Sequence, residues 1–247
     1  MCGVVLAAGR GTRLRPLATG RPKASFPIGQ ASLLERAVDT LRPYVDDLAI
    51  NSCWFDDWFR AAIPGDVRQF DESPAPLGTA GALVNMRGWI RDRDVAVLNV
   101  DSVLFGDVAA FLAGPSNHPT RLLVTLDRHR PDFHRTWRFA GLSTMTADSI
   151  GRLAVTAEDL YHDLWKHQLG AAEIALVPFA GVAVHCGTPL DLLAANLILS
   201  SGATFVEAGA RVDGHVESCV VLRGAEIPAS DTAINCIVGP HGRFGLT

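Results

Sequence analysis

Four cationic side chains, Arg10, Arg13, Arg15 and Lys23, are threaded through a run that also holds Gly9, Gly11 and Thr12. Glycine lets the backbone turn sharply and come close to a bound group. Successive backbone N–H groups in such a turn form a concavity for anion oxygens, and Arg13 and Lys23 add charge where a triphosphate would lie. A second group is Glu72, Pro76, Gly78 and Thr79, where a proline-rich turn leads into a helical pattern. That arrangement offers backbone donors at a helix N-terminus. A third is Asp101, just past an apolar run that ends at Asn99. A carboxylate at the C-terminal end of a central strand lies where open α/β sheets bind ligands, and it can ligate Mg²⁺. Each feature alone also has a plain reading: a surface turn, a capped helix, an Asp that closes a turn.

Two commoner glycine loops do not fit. A P-loop needs four residues between its glycines and then Lys-Ser/Thr; here one residue separates Gly9 from Gly11, and Thr12-Arg13 follows. A dinucleotide fingerprint needs a third small residue where Leu14 stands, and an acidic residue at a strand end further on. Glu35 falls near that distance but inside a helical pattern.

The whole string is more specific than its glycines. Leu6-Ala7-Ala8-Gly9-Arg10-Gly11-Thr12-Arg13-Leu14-Arg15-Pro16-Leu17, then Arg21-Pro22-Lys23, closely resembles the signature loop of the sugar-1-phosphate nucleotidyltransferases. Glu72 to Leu83 is similar to that family's E-x-x-P-L-G-T-A-G-A-L segment, Asn99-Val100-Asp101 to its N-G-D, and 185–196 to its D-x-G-T-P segment. The resemblance implies NTP plus sugar 1-phosphate giving NDP-sugar plus pyrophosphate, in the EC 2.7.7 class. It implies a nucleotide pocket from Leu6, Ala7, Ala8, Gly9, Gly11, Thr12, Glu72, Pro76, Gly78 and Thr79. It puts Arg13 on the β,γ-phosphates, Lys23 on the attacking or α-phosphate, Asp101 on Mg²⁺, and Asn99 and Gly141 at the sugar.

There are departures. Ala18 stands where Thr is usual, Val100 replaces the Gly of N-G-D, and the family's E-K-P segment has no counterpart. His185 stands where the family has its second metal-ligating Asp. Histidine suits Mn²⁺ better than Mg²⁺, so four readings stay open: metal on Asp101, phosphates and water with His185 outside the shell, a softer ion with His185 as ligand, a regulatory paralogue that binds nucleotide or NDP-sugar without turnover, or a hydrogen-bonded histidine with no special role. A cytidylyltransferase relative would share the first loop.

The elements that must position these residues read as alternating strands and helices. Strands are expected over 4–8, 47–51, 67–70, 94–99, 121–126, 139–142, 173–178 and 181–185. Helices are expected over 31–41, 54–63, from 78 onward, 107–112, 148–153, 158–169 and 190–199. The polar stretch 129–138 reads as a solvated connection or a phosphate-facing lid. The fold class is α/β: a Rossmann-like mixed, mostly parallel sheet flanked by helices over 1–202. Over 203–247 Val206 and Val212, Val221 and Ile227, and Val238 and Phe244 are each six apart, in an irregular repeat, and Cys219-Val220-Val221 returns 17 residues later as Cys236-Ile237-Val238. That pattern is similar to the short left-handed hexapeptide β-helix of mannose-1-phosphate guanylyltransferase-like members. So short a helix would have an open end, which predicts a homo-oligomer or burial against the catalytic domain.

Net charge is −4, so no basic field for nucleic acid exists. Five scattered cysteines argue against a disulfide framework and for a reducing cytoplasm. No apolar run reaches membrane-span length, and the start has no signal-peptide pattern.

Overall fold

The computed structural model describes residues 1–114, 117–156 and 158–245. Internal packing divides the chain into two units: Met1–Gly9 with Ala37–Ala183, and Arg10–Arg36 with Val184–Thr247.

The first unit is built on the apolar strand Cys2–Leu6, in which Val4 and Val5 are wholly buried. A strand apolar on both faces belongs in the middle of a parallel sheet covered on both sides. It lies there, between Val95–Asn99 and Asp47–Ser52, parallel to both. The full sheet has seven strands in the order Ile174–Pro178, Thr120–Leu126, Trp137–Met145, Val95–Asn99, Cys2–Leu6, Asp47–Ser52, Val67–Asp71. Trp137–Met145 alone runs antiparallel to its neighbours. The expected mixed, mostly parallel α/β sheet is therefore present. On one face Leu83, Met86 and Ile90 of the helix Gly78–Ile90 join Val4, Val97, Leu122 and Trp165 in a single core. Each such buried side chain contributes about 1.5–3 kcal/mol through the water it sheds.

Three local readings need correction. The helix expected over 31–41 starts at Leu33, and Ala31–Ser32 instead pairs antiparallel with Pro27–Ile28. The reason is a capping box. Ser32 Oγ accepts from the Glu35 N–H at 3.2 Å, and Glu35 Oε2 accepts from the Ser32 N–H at 2.6 Å, so the helix cannot begin earlier. A strand not foreseen, Ser102–Phe105, follows Asp101 directly. The helix expected over 158–169 begins as a π-turn, Tyr161–Trp165, before continuing as Lys166–Gly170. Its entry is pinned by Asp163, whose Oδ2 accepts from the Glu158 and Asp159 N–H groups, both at 2.7 Å. The stretch 129–138 joins two neighbouring strands of the sheet, and Asp127 Oδ1 ties its start by accepting from the His129 and Arg130 N–H groups. In the aromatic-rich segment near 54–59, Phe59 is buried and Trp58 meets its ring edge-on at 5.0 Å.

The second unit holds the 3₁₀ turns Thr12–Leu14 and Lys23–Ser25, the helix Pro189–Ser200 and the tail. Thr188 and Asp191 form a capping box at the start of that helix. Asn196 is buried on it; its amide accepts from the Gly29 N–H at 2.8 Å and donates to Pro27 O at 3.0 Å. In the tail short strands stack in parallel: Phe205–Val206 on Val220–Val221, and Val220–Val221 on Cys236–Gly239. Val220 faces Ile237 and Val221 faces Val238, the register of the repeated Cys-Val-Val motif. Cys219, Val221, Ala225, Ile227 and Val238 form its core, and the helix Pro189–Ser200 packs on Cys236–Gly239. Among the described residues no helix is long and apolar enough to cross a membrane.

Candidate active site

Leu6 closes the central strand, and the sheet register sets an asparagine on each side of it: Asn51 on one neighbour and Asn99 on the other. Both therefore stand at the C-terminal edge, where such sheets bind ligands. Asn51 is buried and acts as a relay. Its Oδ1 accepts from the Ala7 N–H at 2.6 Å, and its Nδ2 donates to Glu72 Oε1 at 2.9 Å. Glu72 Oε2 accepts in turn from the Leu77 N–H at 2.8 Å. One chain of three hydrogen bonds thus ties the end of the first strand to the Pro76-Leu77-Gly78-Thr79 segment. Asn51 was not singled out from sequence; the available signal was a polar residue closing the apolar run Leu48 to Ile50.

Glu72, expected at the nucleotide, has both carboxylate oxygens engaged by protein and is 4% exposed. Burial raises its pKa above the ordinary glutamate value, and the bonds from Leu77 and Asn51 offset only part of that. The folded state then holds the proton more tightly than the unfolded chain. This group's contribution to stability accordingly falls as pH rises from about 4.5 through the raised value. The expected result for Glu72→Gln is the loss of that slope in a series of melting curves between pH 4 and 8. The glutamine NH₂ must also face one of two donors, which costs about 1–3 kcal/mol. A slope unchanged by the substitution would show that Glu72 is not its source.

The helix Gly78–Ile90 starts on a glycine with φ +78°. Ala80 N–H in its first turn is spent on Glu158 O at 3.1 Å, and Thr79 Oγ1 accepts from the Leu160 N–H at 3.0 Å. Part of the donor set expected for a ligand is thus used to dock the 158–160 segment. Val100 N–H donates to Leu6 O at 3.0 Å, which holds the turn carrying half-buried Asp101 against the first strand. Gly141 is buried at an irregular point of its strand, with φ +94°. Thr79 and Asn99 line one recess of about 130 Å³, together with Val97, Phe139, Ser143 and Trp165. Ser143 and Trp165 were not foreseen; nothing in a serine between leucine and threonine, or a tryptophan in a helical pattern, marks them.

In the second unit Gly11 takes φ +64°, and a Cβ there would lie 3.0 Å from Lys23 Cβ. The turn therefore lays its backbone along the lysine stem, and Lys23 is buried to 9% exposure. Thr12 and Arg13 are exposed, and the Arg13 guanidinium lies against Gly187. Arg21 is structural, since it makes a bidentate pair with Glu207 at 3.2 Å and caps Ser25 O at 2.7 Å. His185, half-buried, precedes Gly187, whose N–H donates to the His185 carbonyl at 2.6 Å. Leu6, Ala7, Ala8, Gly9, Glu72, Pro76, Gly78, Thr79, Asn99, Asp101 and Gly141 thus belong to the first unit. Gly11, Thr12, Arg13, Lys23 and His185 belong to the second.

Among the described residues no three His, Cys, Asp or Glu side chains are grouped to hold a metal ion. Asp101 is a hard oxygen donor at a sheet edge, which suits Mg²⁺ when substrate oxygens and water complete the shell.

A family model described as a MobA-like NTP transferase domain matches residues 3–173. The N-acetylmuramate alpha-1-phosphate uridylyltransferase of Caulobacter vibrioides is 25% identical over 80% of this chain and 96% of its own. The bifunctional protein GlmU of Methanococcus maripaludis is 30% identical over 43% of this chain, and the chain spans only 26% of that relative's length. The mannose-1-phosphate guanylyltransferase of Mycobacterium tuberculosis is 28% identical over 44% of this chain and 32% of its own. Among solved structures, HddC from Yersinia pseudotuberculosis superposes with a TM-score of 0.65 at 19% identity, over 80% of this chain and 99% of its own. These last figures speak to the fold.

Proposed function

Since the chain belongs to the MobA-like NTP transferase domain family, we propose that it transfers a nucleotidyl group from an NTP to a sugar 1-phosphate. A phosphate oxygen of the acceptor forms a bond to the α-phosphorus, the α–β bridge bond breaks, and pyrophosphate leaves. No covalent enzyme intermediate is needed; the protein aligns the reactants and neutralises charge. What supports this most is the loop: one left-handed glycine seats the Lys23 stem against the backbone while Arg13 stays exposed on the same turn. In this reading Arg13 meets the departing β,γ-phosphates and Lys23 the α- or attacking phosphate. The relay from Ala7 through Asn51 and Glu72 to Leu77 holds the nucleotide segment in place. Enzymes of this kind typically use a divalent metal. Asp101 would hold it here, where it would offset phosphate charge. The same reading takes residues 1–202 as the catalytic domain, 203–247 as a short β-helix, and the assembly as a homo-oligomer.

The test is pyrophosphate release from five NTPs crossed with a panel of sugar 1-phosphates, each in Mg²⁺ and in Mn²⁺. Turnover of one pair is the expected result, and a preference for Mn²⁺ would assign His185 to the metal. Silence throughout, with NDP-sugar binding retained, would favour the regulatory paralogue, for which the histidine at 185 is the observation.

A further inference from the structure

The connection from Asp127 to Arg138 carries Arg128, Arg130, Arg135 and Arg138 against Asp127 and Asp132, so four cations against two anions make it +2 on a chain of net −4. Both aspartates are turned to the connection's own backbone. Asp127 Oδ1 accepts from the His129 and Arg130 N–H groups, both at 2.9 Å, and its Oδ2 accepts from Arg138 at 3.2 Å. Asp132 Oδ2 accepts from the Phe139 N–H at 2.9 Å. Among the described residues Arg138 alone of the four arginines is ion-paired. Arg128, Arg130 and Arg135 are exposed, as are His129 and His134.

The sheet fixes where this cationic tip stands. Trp137–Met145 runs antiparallel to both Val95–Asn99 and Thr120–Leu126, so those two run the same way and end at one edge. The tip leaves the sheet there, at the edge that also carries Asn99 and Asp101 and where such sheets take ligands. Its base is anchored. Phe133 is buried with its ring centroid 6.1 Å from that of Tyr161, and Tyr161 lines the recess shared by Thr79 and Asn99. Phe133 O accepts from the Thr136 and Trp137 N–H groups at 3.1 and 2.9 Å. The backbone is thus set, while three arginine side chains stand in solvent.

A guanidinium stays charged at any working pH and matches phosphate oxygens. Exposed charges act over about 8 Å at physiological salt, and a local field of one sign raises the encounter rate of an oppositely charged ligand. A polyanion approaching a chain of net −4 is repelled on average, so a positive rim at the ligand edge changes the path of approach. Exposed arginines on a solvent-facing tip enclose nothing, so their charge acts on capture and not on the bound complex.

We propose that the Asp127–Arg138 tip is a capture surface for the nucleoside triphosphate. Arg128, Arg130 and Arg135 draw the polyphosphate to the sheet edge and set the association rate, and they take no part in turnover. The proposal rests on the reading of the chain as an NTP-using transferase.

The experiment is stopped-flow binding of the N-methylanthraniloyl esters of the five NTPs to the full chain, from about 0.02 to 0.3 M salt, beside steady-state turnover. Two triple variants are compared with wild type: Arg128→Gln with Arg130→Gln and Arg135→Gln, and the same three positions changed to Lys. At low salt the glutamine variant should associate about tenfold more slowly, with a flatter salt dependence. Its dissociation rate, kcat and melting temperature should stay at the wild-type values, and the lysine variant should associate as wild type does. An association rate and salt dependence unchanged in the glutamine variant overturn the proposal and make the tip a solvated connection. A kcat or dissociation rate altered more than about threefold overturns it in favour of a lid that touches bound phosphate. Slow association in the lysine variant too overturns it, because charge would then not be the cause. Wild-type binding without turnover, with the expected effects on association, upholds the capture surface and overturns the transferase reading. Absence of binding to all five overturns both.

Discussion

Asp101→Asn lowers kcat by about a thousandfold or more while the melting temperature stays within a degree or two of wild type. The rate effect follows from the role proposed for the carboxylate. Triphosphate and sugar phosphate are both anionic, and the attacking oxygen must approach phosphorus against that charge. A divalent ion offsets several kcal/mol of it, and each 1.36 kcal/mol is about a factor of ten in rate. Among the described residues no cluster of three ligands exists to hold the ion without substrate, so losing one hard anionic donor removes a large share of the protein's hold on it. The small stability effect follows from geometry. The turn is held by the bond from Val100 N–H to Leu6 O, which the substitution does not touch, and the amide nearly matches the carboxylate in shape. Steady-state kinetics with Mg²⁺ and Mn²⁺, beside a thermal melt, checks both halves. A rate within a few-fold of wild type would remove Asp101 from the metal, and a large fall in melting temperature would make its role structural.

The parts legible in the sequence are those whose residues are contiguous. Arg13, Lys23 and the glycines of the signature loop lie on one stretch, because a tight glycine turn is a local object. Likewise the apolar runs that become Cys2–Leu6, Asp47–Ser52 and Val95–Asn99 announce their burial without reference to one another. Asn51 is different. It matters because the register places it level with Leu6, where the Ala7 amide and the Glu72 carboxylate come within its reach, and register is a property of the folded sheet. Ser143 and Trp165 are further still from legibility: they line one recess from a strand and a turn, a meeting that only the packed structure defines. The start of the helix at Leu33 was written in the chain as Ser32 and Glu35. The amphipathic pattern running through 31–41 outweighed it, although a cap, not periodicity, decides where a helix begins.

Gly78→Ala is the second change expected to have a large effect, and it acts through backbone alone. Gly78 has φ +78°, and a Cβ built on it would stand 2.1 Å from Glu158 O and 2.9 Å from the carbonyl carbon. Neither atom belongs to a side chain, so no rotamer change relieves the overlap; the 158–160 segment or the helix start must move. Movement breaks the bonds from Ala80 N–H to Glu158 O and from Leu160 N–H to Thr79 Oγ1. The left-handed conformation by itself costs alanine about 1–2 kcal/mol, and the two bonds add roughly 0.5–1.5 kcal/mol each. For a chain of this size the sum lowers the melting temperature by about 5–15 °C. The kinetic consequence is separate, because the displaced helix start carries Gly78 and Thr79, which the family resemblance places at the nucleotide. KM for the nucleotide should therefore rise about tenfold or more below the melting transition. Melting curves and nucleotide titrations on the same preparation distinguish the two effects. An unchanged melt would show that the segment yields without cost. A lowered melt with unchanged KM would show that Gly78 and Thr79 do not position the nucleotide, so that the loop from Gly9 to Lys23 carries that binding by itself.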